Sequence, residues 1–307
     1  MDTTSGSLGG KKYLGQQRLG QKLNSVFVTI YNYKSSNLVD CVRSVIENAS
    51  PNVQILGIVY DQHPLIRKDK LKDFSQFEYE HVFWDHQYTP INYKKKEALS
   101  RGRDYFISMS ADITLSKDWD IPLINFIKHR NDVIVSGRGQ CSVRPHDKYF
   151  IRGNWDISSG SQDFSLSNYI DRNFICATRD GIRKLEFPIW MKYLGEEEMM
   201  SIDAFIKGVA IYSAPPLVYE DNYDRNLENL YSPFSIEHQY NSFIDYINDE
   251  SIEEHGKILE FFDFHGIDHT KIKKLPYEID DVLYDPNTLK IVSLGGERFI
   301  DSVKAIY

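Results

Sequence analysis

The sequence predicts an α/β protein: a mainly parallel sheet flanked by helices, followed by a small, mostly helical C-terminal appendage. Three observations carry that expectation. The β-branched run Val26-Phe27-Val28-Thr29-Ile30 leads into a helical pattern and then into a second apolar run at residues 53–60. That is the spacing of a βαβ unit, whose parallel strands need a right-handed helical crossover. The alternation of strand and helix patterns continues through residue 136, and from about Phe234 the composition turns to polar, Tyr-rich helix.

Taken in order, residues 31–36 are turn-like, and Leu38, Cys41, Val42, Val45 and Ile46 recur at helical spacing, with Asn37 or Ser36 as N-cap. The strand 53–60 is broken by Asp61-Gln62-His63-Pro64. Phe83-Trp84 marks a short third strand, 92–102 a helix, 104–109 a fourth strand, 118–129 a helix and 133–136 a strand. Residues 137–160 form a long polar loop, 174–178 a strand, 196–207 a helix, and 209–213 a strand that stops at Pro215-Pro216. Helices at 234–246 and 252–264 precede a strand-like Lys290-Ile291-Val292. The predicted organisation is a flexible arm over 1–22, a main domain over 23–232 and the appendage over 233–307. Tyr240, Phe243, Tyr246, Ile258, Phe261 and Phe262 supply the appendage with apolar positions to pack on the main domain, a dimer face being the alternative.

Bulk properties narrow the function. With 26% charged and 41% hydrophobic residues, the 307-residue chain has the balance of a globular protein. Its net charge of -8 argues against a general nucleic-acid or membrane binder, while leaving room for a local basic face. Aromatics at 13% fit a Tyr-rich core, and equally the walls of a site for ring-shaped ligands. Three cysteines without a CxxC pair fit a reducing compartment and give no zinc knuckle. The start of the sequence lacks a signal-peptide core and no run reaches membrane-span length, so the expected location is cytoplasmic. Without G-x-G-x-x-G, Walker A or G-x-S-x-G motifs, dinucleotide oxidoreductases, P-loop NTPases and serine hydrolases have no support.

Three constellations carry chemistry. Asp112 emerges from Ser108-Met109-Ser110-Ala111-Asp112 at the carboxyl end of a buried strand, where open α/β sheets bind ligands; the plainer reading is a turn or cap. Gly195-Glu196-Glu197-Glu198 opens a helix. Acids there suit the helix dipole, but a preceding glycine also allows close approach of a ligand, and Glu196 or Glu197 suits orienting a hydroxyl or accepting its proton. Pro215 to Tyr223 is a strand exit rich in oxygen donors, which hard divalent cations prefer.

The ordered set VFVTIYNYKSSNLVDCVRSVI, YFISMSADITLSKDWD and LGEEEMMSIDAFIKGVAIYSAPPLVYEDNY resembles the GlcNAc-transferase-like glycosyltransferases, a family that includes cytoplasmic hydroxyproline-modifying GlcNAc-transferases. The resemblance covers about residues 26–223. It implies a GT-A-type, Rossmann-like fold and a nucleotide-sugar donor with UDP as carrier. Thr29, Tyr31, Asn32, Tyr33 and Asp61 would form the nucleotide pocket. Ser110-Ala111-Asp112 stands where the family has an acidic metal triplet, so Ser110 and Ala111 would line the donor and Asp112 would hold the metal. The family's late histidine falls at or near Glu220, next to Asp221, so a carboxylate replaces an imidazole.

The implied mechanism is electrostatic. Mn²⁺ or Mg²⁺ on Asp112, with Glu220 or Asp221, neutralises the departing diphosphate. Lys94, Lys95 or Arg101 either adds to that charge or is an ordinary solvated residue. The sugar passes to a hydroxyl held near Glu196 or Glu197, with retention of configuration by analogy. Arg138, Arg144, His146, Lys148 and Arg152 make residues 137–154 locally basic, and Tyr149, Phe150 or Trp155 suits stacking. That stretch is either a plain exposed loop or a phosphate-binding lip, in which Arg138, Arg144, Arg152 and Trp155 receive the acceptor. The acceptor is then a hydroxymethylated pyrimidine in DNA, as in some phage enzymes, which would act in host cytoplasm. A protein or glycan hydroxyl is the other class. The alternative to an enzyme is a degenerate domain that binds nucleotide or glycan without turnover. Oligomeric state is left open.

Overall fold

The computed structural model describes residues 23–32, 35–61, 68–82, 99–101, 103–138, 140–144, 152–156, 163–186, 196–222, 236–272, 274, 277–279, 282–285 and 290–294. The first half runs β1 (Asn24–Asn32), α1 (Leu38–Glu47), β2 (Val53–Asp61), β3 (Phe77–His81), β4 (Tyr105–Ser110), β5 (Ile113–Leu115), α2 (Asp120–Ile127), β6 (Val133–Arg138), β7 (Gln140–Arg144) and β8 (Arg152–Asp156). The second half runs β9 (Ser165–Ser167), β10 (Phe174–Thr178), α3 (Arg179–Ile182), α4 (Glu196–Ile206), β11 (Ala210–Ala214), β12 (Tyr219–Asp221), α5 (Ile236–Ile247), α6 (His255–Phe264), β13 (Tyr277–Ile279), β14 (Val282–Asp285) and β15 (Lys290–Leu294).

One eight-stranded sheet has the order β3-β2-β1-β4-β10-β6-β11-β9. The pairs β2/β3, β1/β2, β1/β4 and β6/β11 are parallel; β10 runs against β4 and β6, and β9 against β11. The mainly parallel α/β expectation therefore holds. Both faces of β1 are covered, which is why its sequence is continuously apolar rather than alternating. Val26, Val28 and Ile30 pack with Leu38, Val42 and Val45 of α1 and with Leu123 and Ile127 of α2. Phe27 joins the opposite layer, with Ile182 of α3 and Met200 and Ala204 of α4. Gly57 lets β2 close up on both β1 and β3, since a Cβ there would sit 2.6 Å from the Val28 carbonyl oxygen and 2.3 Å from the Phe77 ring.

Several elements differ from the sequence expectation. The third strand is Phe77–His81, while Phe83 and Trp84 lie outside the described residues. Its charged residues suit a sheet edge, and that polarity hides the strand from an apolar-run reading. Of the helix expected over 92–102, the described part is a 3₁₀ turn at Leu99–Arg101. The polar loop expected over 137–160 contains the β7/β8 ribbon, and β5 pairs with β12 in a second small sheet. Asn37 sits at the N-cap of α1 without a capping side-chain bond.

After residue 235, α5 and α6 are followed by the antiparallel sheet β13-β14-β15, so this region holds more strand than its composition indicates. Phe243, Ile258, Phe261 and Phe262 bury themselves against Met199 and Ile202 of α4. The Phe205 and Phe261 rings meet edge to face at 5.5 Å. Helix α4 thus belongs to two cores at once. Among the described residues, no helix is long and apolar enough to cross a membrane.

Candidate active site

Because β1, β2 and β4 are parallel, Tyr31-Asn32, Asp61 and Ser110 end at the same edge of the sheet, with Tyr31 in register with Tyr60 and Ser110, and Asn32 with Asp61. The Asn32 side-chain amide donates to Asp61 Oδ1 at 2.7 Å, and the Tyr79 hydroxyl donates to Oδ2 at 2.9 Å. Both Asn32 and Asp61 are fully buried, so Asp61 acts as the hub of this corner rather than as an open carboxylate. Thr29 is equally buried, and its hydroxyl donates to the Ile107 carbonyl at 3.2 Å, within the sheet. Tyr33 lies outside the described residues.

The chain leaves β4 in a fixed turn. The Ala111 N–H donates to the Tyr31 carbonyl at 2.9 Å, and the Ser110 N–H to the Asn173 carbonyl at 2.8 Å. The Ser110 hydroxyl donates to Asp112 Oδ2 at 3.0 Å, while Ala111 is buried beneath. Strand β12 lies against β5, with Glu220 opposite Thr114 and Asp221 opposite Ile113. That register carries on to Asn222, whose N–H donates to the Asp112 carbonyl at 2.9 Å and whose side-chain amide donates to the Thr114 hydroxyl at 3.0 Å. Asn222, rather than Glu220, is thus the direct cross-strand neighbour of Asp112, a relation that strand pairing sets and linear spacing does not reveal.

Among the described residues, no group of three or more His, Cys, Asp or Glu side chains stands ready to hold a metal. The donor set at Asp112 is one partly exposed carboxylate with a hydrogen bond to a single oxygen. Such a site fits a hard cation that takes its other ligands from phosphates and water. Glu220 is exposed on the neighbouring strand.

The glutamates that open α4 are tied to the end of β1 through a residue that sequence reading missed, Arg172. Its Nη1 lies 3.2 Å from Glu196 Oε2, and Glu196 is only 3% exposed at the first turn of α4. Glu197 accepts the Arg172 N–H at 3.1 Å on Oε1 and the Tyr169 hydroxyl at 3.2 Å on Oε2. The Arg172 carbonyl in turn accepts the Tyr31 hydroxyl. Ser201 completes the clasp, donating to the Glu197 carbonyl at 2.6 Å and accepting the Ile170 N–H at 2.9 Å. Burial pushes the Glu197 carboxyl above the usual range, and burial together with the Glu197 charge pushes Glu198 up to about 8. Burial also holds the Tyr31 phenol well above its ordinary value. Glu196 and Glu197 therefore fasten α4 to residues 169–173, which also grip β1 and β4.

Gly137 makes room for that turn: a Cβ on it would lie 2.0 Å from Asp171 Oδ2. Asp171 Oδ1 accepts the Asn173 N–H at 2.9 Å, and the Asp171 N–H donates to the Ser136 hydroxyl at 2.6 Å. Of the remaining predicted residues, Arg101 makes a two-pronged pair with Glu78 at 2.8 and 3.0 Å, at the strand edge. Lys94, Lys95 and Gly195 lie outside the described residues. Arg138, Arg144, Arg152 and Trp155 are described by their strand positions only, as is Asp221.

The family model for glycosyl transferase family 2 matches residues 25–184, just over half of the chain and all of the β1-to-α3 core. The chain belongs to glycosyl transferase family 2. Solved structures of similar fold include GalNAc-T7 with UDP, GalNAc and Mn²⁺, at TM-score 0.58 and 11% identity, covering 86% of this chain and 61% of that one. They also include TarS of S. aureus, at TM-score 0.51 and 14% identity over 79% of this chain and 43% of that one. Residues 1–349 of TarS in complex with UDP-GlcNAc match at TM-score 0.50 and 14% identity, over 80% and 74% of the two chains. At these identities the likeness is one of fold, the GT-A arrangement, and the chain spans less than two thirds of the length of the first two. No curated protein matches the sequence.

Proposed function

We propose that this family 2 domain is a metal-assisted glycosyltransferase that moves a hexosyl or pentosyl group from a UDP-sugar to a hydroxyl acceptor in the cytoplasm. The observation that supports the reading is the gathering of Tyr31, Asp61 and Asp112 at one sheet edge, Asp61 through its register and hydrogen bond with Asn32 and Asp112 through the Tyr31–Ala111 backbone bond. UDP in two of the similar structures, and Mn²⁺ in one, support the choice of donor and cation. Tyr31 and the Asn32–Asp61 corner would receive the nucleoside, with Ser110 and Ala111 lining the donor. Asp112 would hold Mn²⁺ or Mg²⁺ together with the donor phosphates, with Glu220 and Asp221 on the facing strand. The bound cation supplies Lewis-acid stabilisation of the departing diphosphate.

The protein's own groups then act by placement. Ser110 orients one oxygen of Asp112, and the Arg172 clasp sets α4, with Glu196 and Glu197, beside the donor edge. The acceptor hydroxyl would approach from that side and be glycosylated with retention, as the sequence resemblance to the GlcNAc-transferase-like enzymes implies. It belongs to a hydroxymethylated pyrimidine of DNA, as in a phage enzyme working in its host's cytoplasm, or to a protein or glycan.

Ser110, standing where the resembled family has its first carboxylate, favours one second reading: a degenerate domain that binds nucleotide or glycan without turnover. A screen of UDP-, GDP- and TDP-sugars for nucleoside diphosphate release separates the two. Release with a UDP-sugar supports transfer; binding without release from any donor, acceptors included, supports the degenerate domain.

A further inference from the structure

We infer that Asn222 supplies the second protein oxygen of the cation site, opposite Asp112, in the place that the sequence resemblance gives to Glu220; the inference rests on the metal-assisted reading above. The β5/β12 ladder has two unlike faces. Ile113, Leu115 and Tyr219 lie in the main core. Side chains alternate along a strand and paired residues share a face. Thr114 and its partner Glu220 therefore belong to the outer side, as do Asp112 and Asn222 at the next hydrogen-bonded pair. Asp112 and Thr114 are half-buried there, and Glu220 and Asn222 are exposed.

A polar outer face is ordinary for a surface ladder; position within it separates Asn222 from Glu220. The Asn222 N–H donates to the Asp112 carbonyl at 2.9 Å, which makes these two direct partners, whereas Glu220 is opposite Thr114. Directly opposed side chains start about 4.5–5.5 Å apart at Cβ, and diagonal ones about 7–8 Å. Asn222 is also held. Its side-chain amide donates to the Thr114 hydroxyl at 3.0 Å, which commits the nitrogen and leaves the carboxamide oxygen to offer to the rest of the face. Asp112 is held from its other side, by the Ser110 hydroxyl at 3.0 Å on Oδ2, and its Oδ1 accepts no hydrogen bond among the described residues. Carboxylate and carboxamide oxygens are the ligands that hard divalent cations take. Asparagine is moreover a poor strand residue, so strand propensity does not account for it here. A neutral donor opposite a carboxylate avoids like-charge repulsion across the ladder and leaves the pair with a single negative charge. Affinity for a hard cation follows the charge of its ligands, so this pair takes a free cation weakly and a cation carried by a diphosphate tightly. Cation and nucleotide then bind as a linked pair, each raising the other's affinity by the same factor.

The test is a titration of the full chain with Mn²⁺, with and without UDP. Free Mn²⁺ is read by electron paramagnetic resonance, and the Mn²⁺ that UDP binds alone is subtracted. UDP should tighten Mn²⁺ binding at least about tenfold. In the UDP complex, Asn222→Ala should bind Mn²⁺ at least about tenfold more weakly. Glu220→Gln, which removes an exposed charge, should lose less than about threefold. Asn222→Asp adds a charge at the same reach and should tighten Mn²⁺ binding without UDP by about tenfold. Thermal unfolding without metal checks that each variant is folded. Wild-type affinity in Asn222→Ala, an equal loss in Glu220→Gln, or no gain in Asn222→Asp would overturn the inference. Asp112→Ala tells that failure from a failure of the reading beneath it. Lost Mn²⁺ binding in Asp112→Ala, with Asn222→Ala unaffected, removes the role of Asn222 alone; wild-type Mn²⁺ binding in Asp112→Ala removes the cation site itself.

Discussion

The guanidinium of Arg172 lies 3.2 Å from the buried Glu196 carboxylate, and its backbone carbonyl accepts the Tyr31 hydroxyl. A single residue thereby ties the first turn of α4 to the end of β1. The same helix carries Met199 and Ile202 into the core shared with α5 and α6, which anchors the site from behind.

Replacing Arg172 by Gln takes the cation away from a carboxylate that is 3% exposed. The expected cost is on the order of 2 kcal/mol in urea unfolding. Because the two groups act on each other, Arg172→Gln combined with Glu196→Gln should cost less than the sum of the single changes. Strict additivity would show that the pair does not couple.

Ser110 offers a gain-of-function test. Ser110→Asp places a carboxylate beside Asp112, where the resembled glycosyltransferases carry one, raising the negative charge available to a hard cation. Half-maximal metal activation of donor turnover should shift to about tenfold lower Mn²⁺, and thermal stability without metal should fall through carboxylate repulsion. A metal titration of both proteins reads the two effects; an unchanged midpoint contradicts the assignment of Asp112 to the cation.

How much of this was legible in the sequence depends on how local each determinant is. The β1-α1-β2 unit is legible because both faces of its strands are buried, which writes a continuous apolar run. Asp112 is only half legible: a carboxylate at the end of such a strand is more readily a turn or cap residue, and it stands out as a candidate through the family resemblance. Arg172 is not: it lies in an aperiodic stretch, and its importance comes from partners at Tyr31, Glu196 and Glu197, far off in sequence. Asn222 becomes the neighbour of Asp112 only through the β5/β12 register. The β7/β8 ribbon reads as loop because its Arg, Ser, Gly and Asn content has low strand propensity. Tyr79 is hidden in an edge strand whose charges mask its period.

Glu198 carries a pH signature. Its carboxyl is raised to about 8 from an ordinary 4.5, first by burial and then by the Glu197 charge. The folded chain therefore keeps a proton that the unfolded chain releases. The stability tied to that proton is fully present below pH 4.5 and is lost as pH rises to about 8. Glu198→Gln, which cannot ionise, should flatten the fall in stability across that window and exceed wild type above it by a few kcal/mol. Chemical denaturation at the two ends of the window checks this; parallel profiles would contradict it.

Gly137→Ala would drive a methyl group against Asp171, 2.0 Å from Oδ2. The turn that holds Ser110 must then shift. Donor turnover should drop by at least about tenfold, because small displacements of positioning groups are costly in rate. The loss should fall on kcat as well as KM. Wild-type kinetics in this variant would separate the turn from the site.

The most direct test of the central claim is release of UDP from UDP-sugars by the full chain with Mn²⁺ or Mg²⁺, beside EDTA and Asp112→Ala controls. The account predicts release that EDTA abolishes and that Asp112→Ala lowers by at least about a hundredfold. Release that persists at wild-type rate in Asp112→Ala, or none with any UDP-sugar, would contradict it.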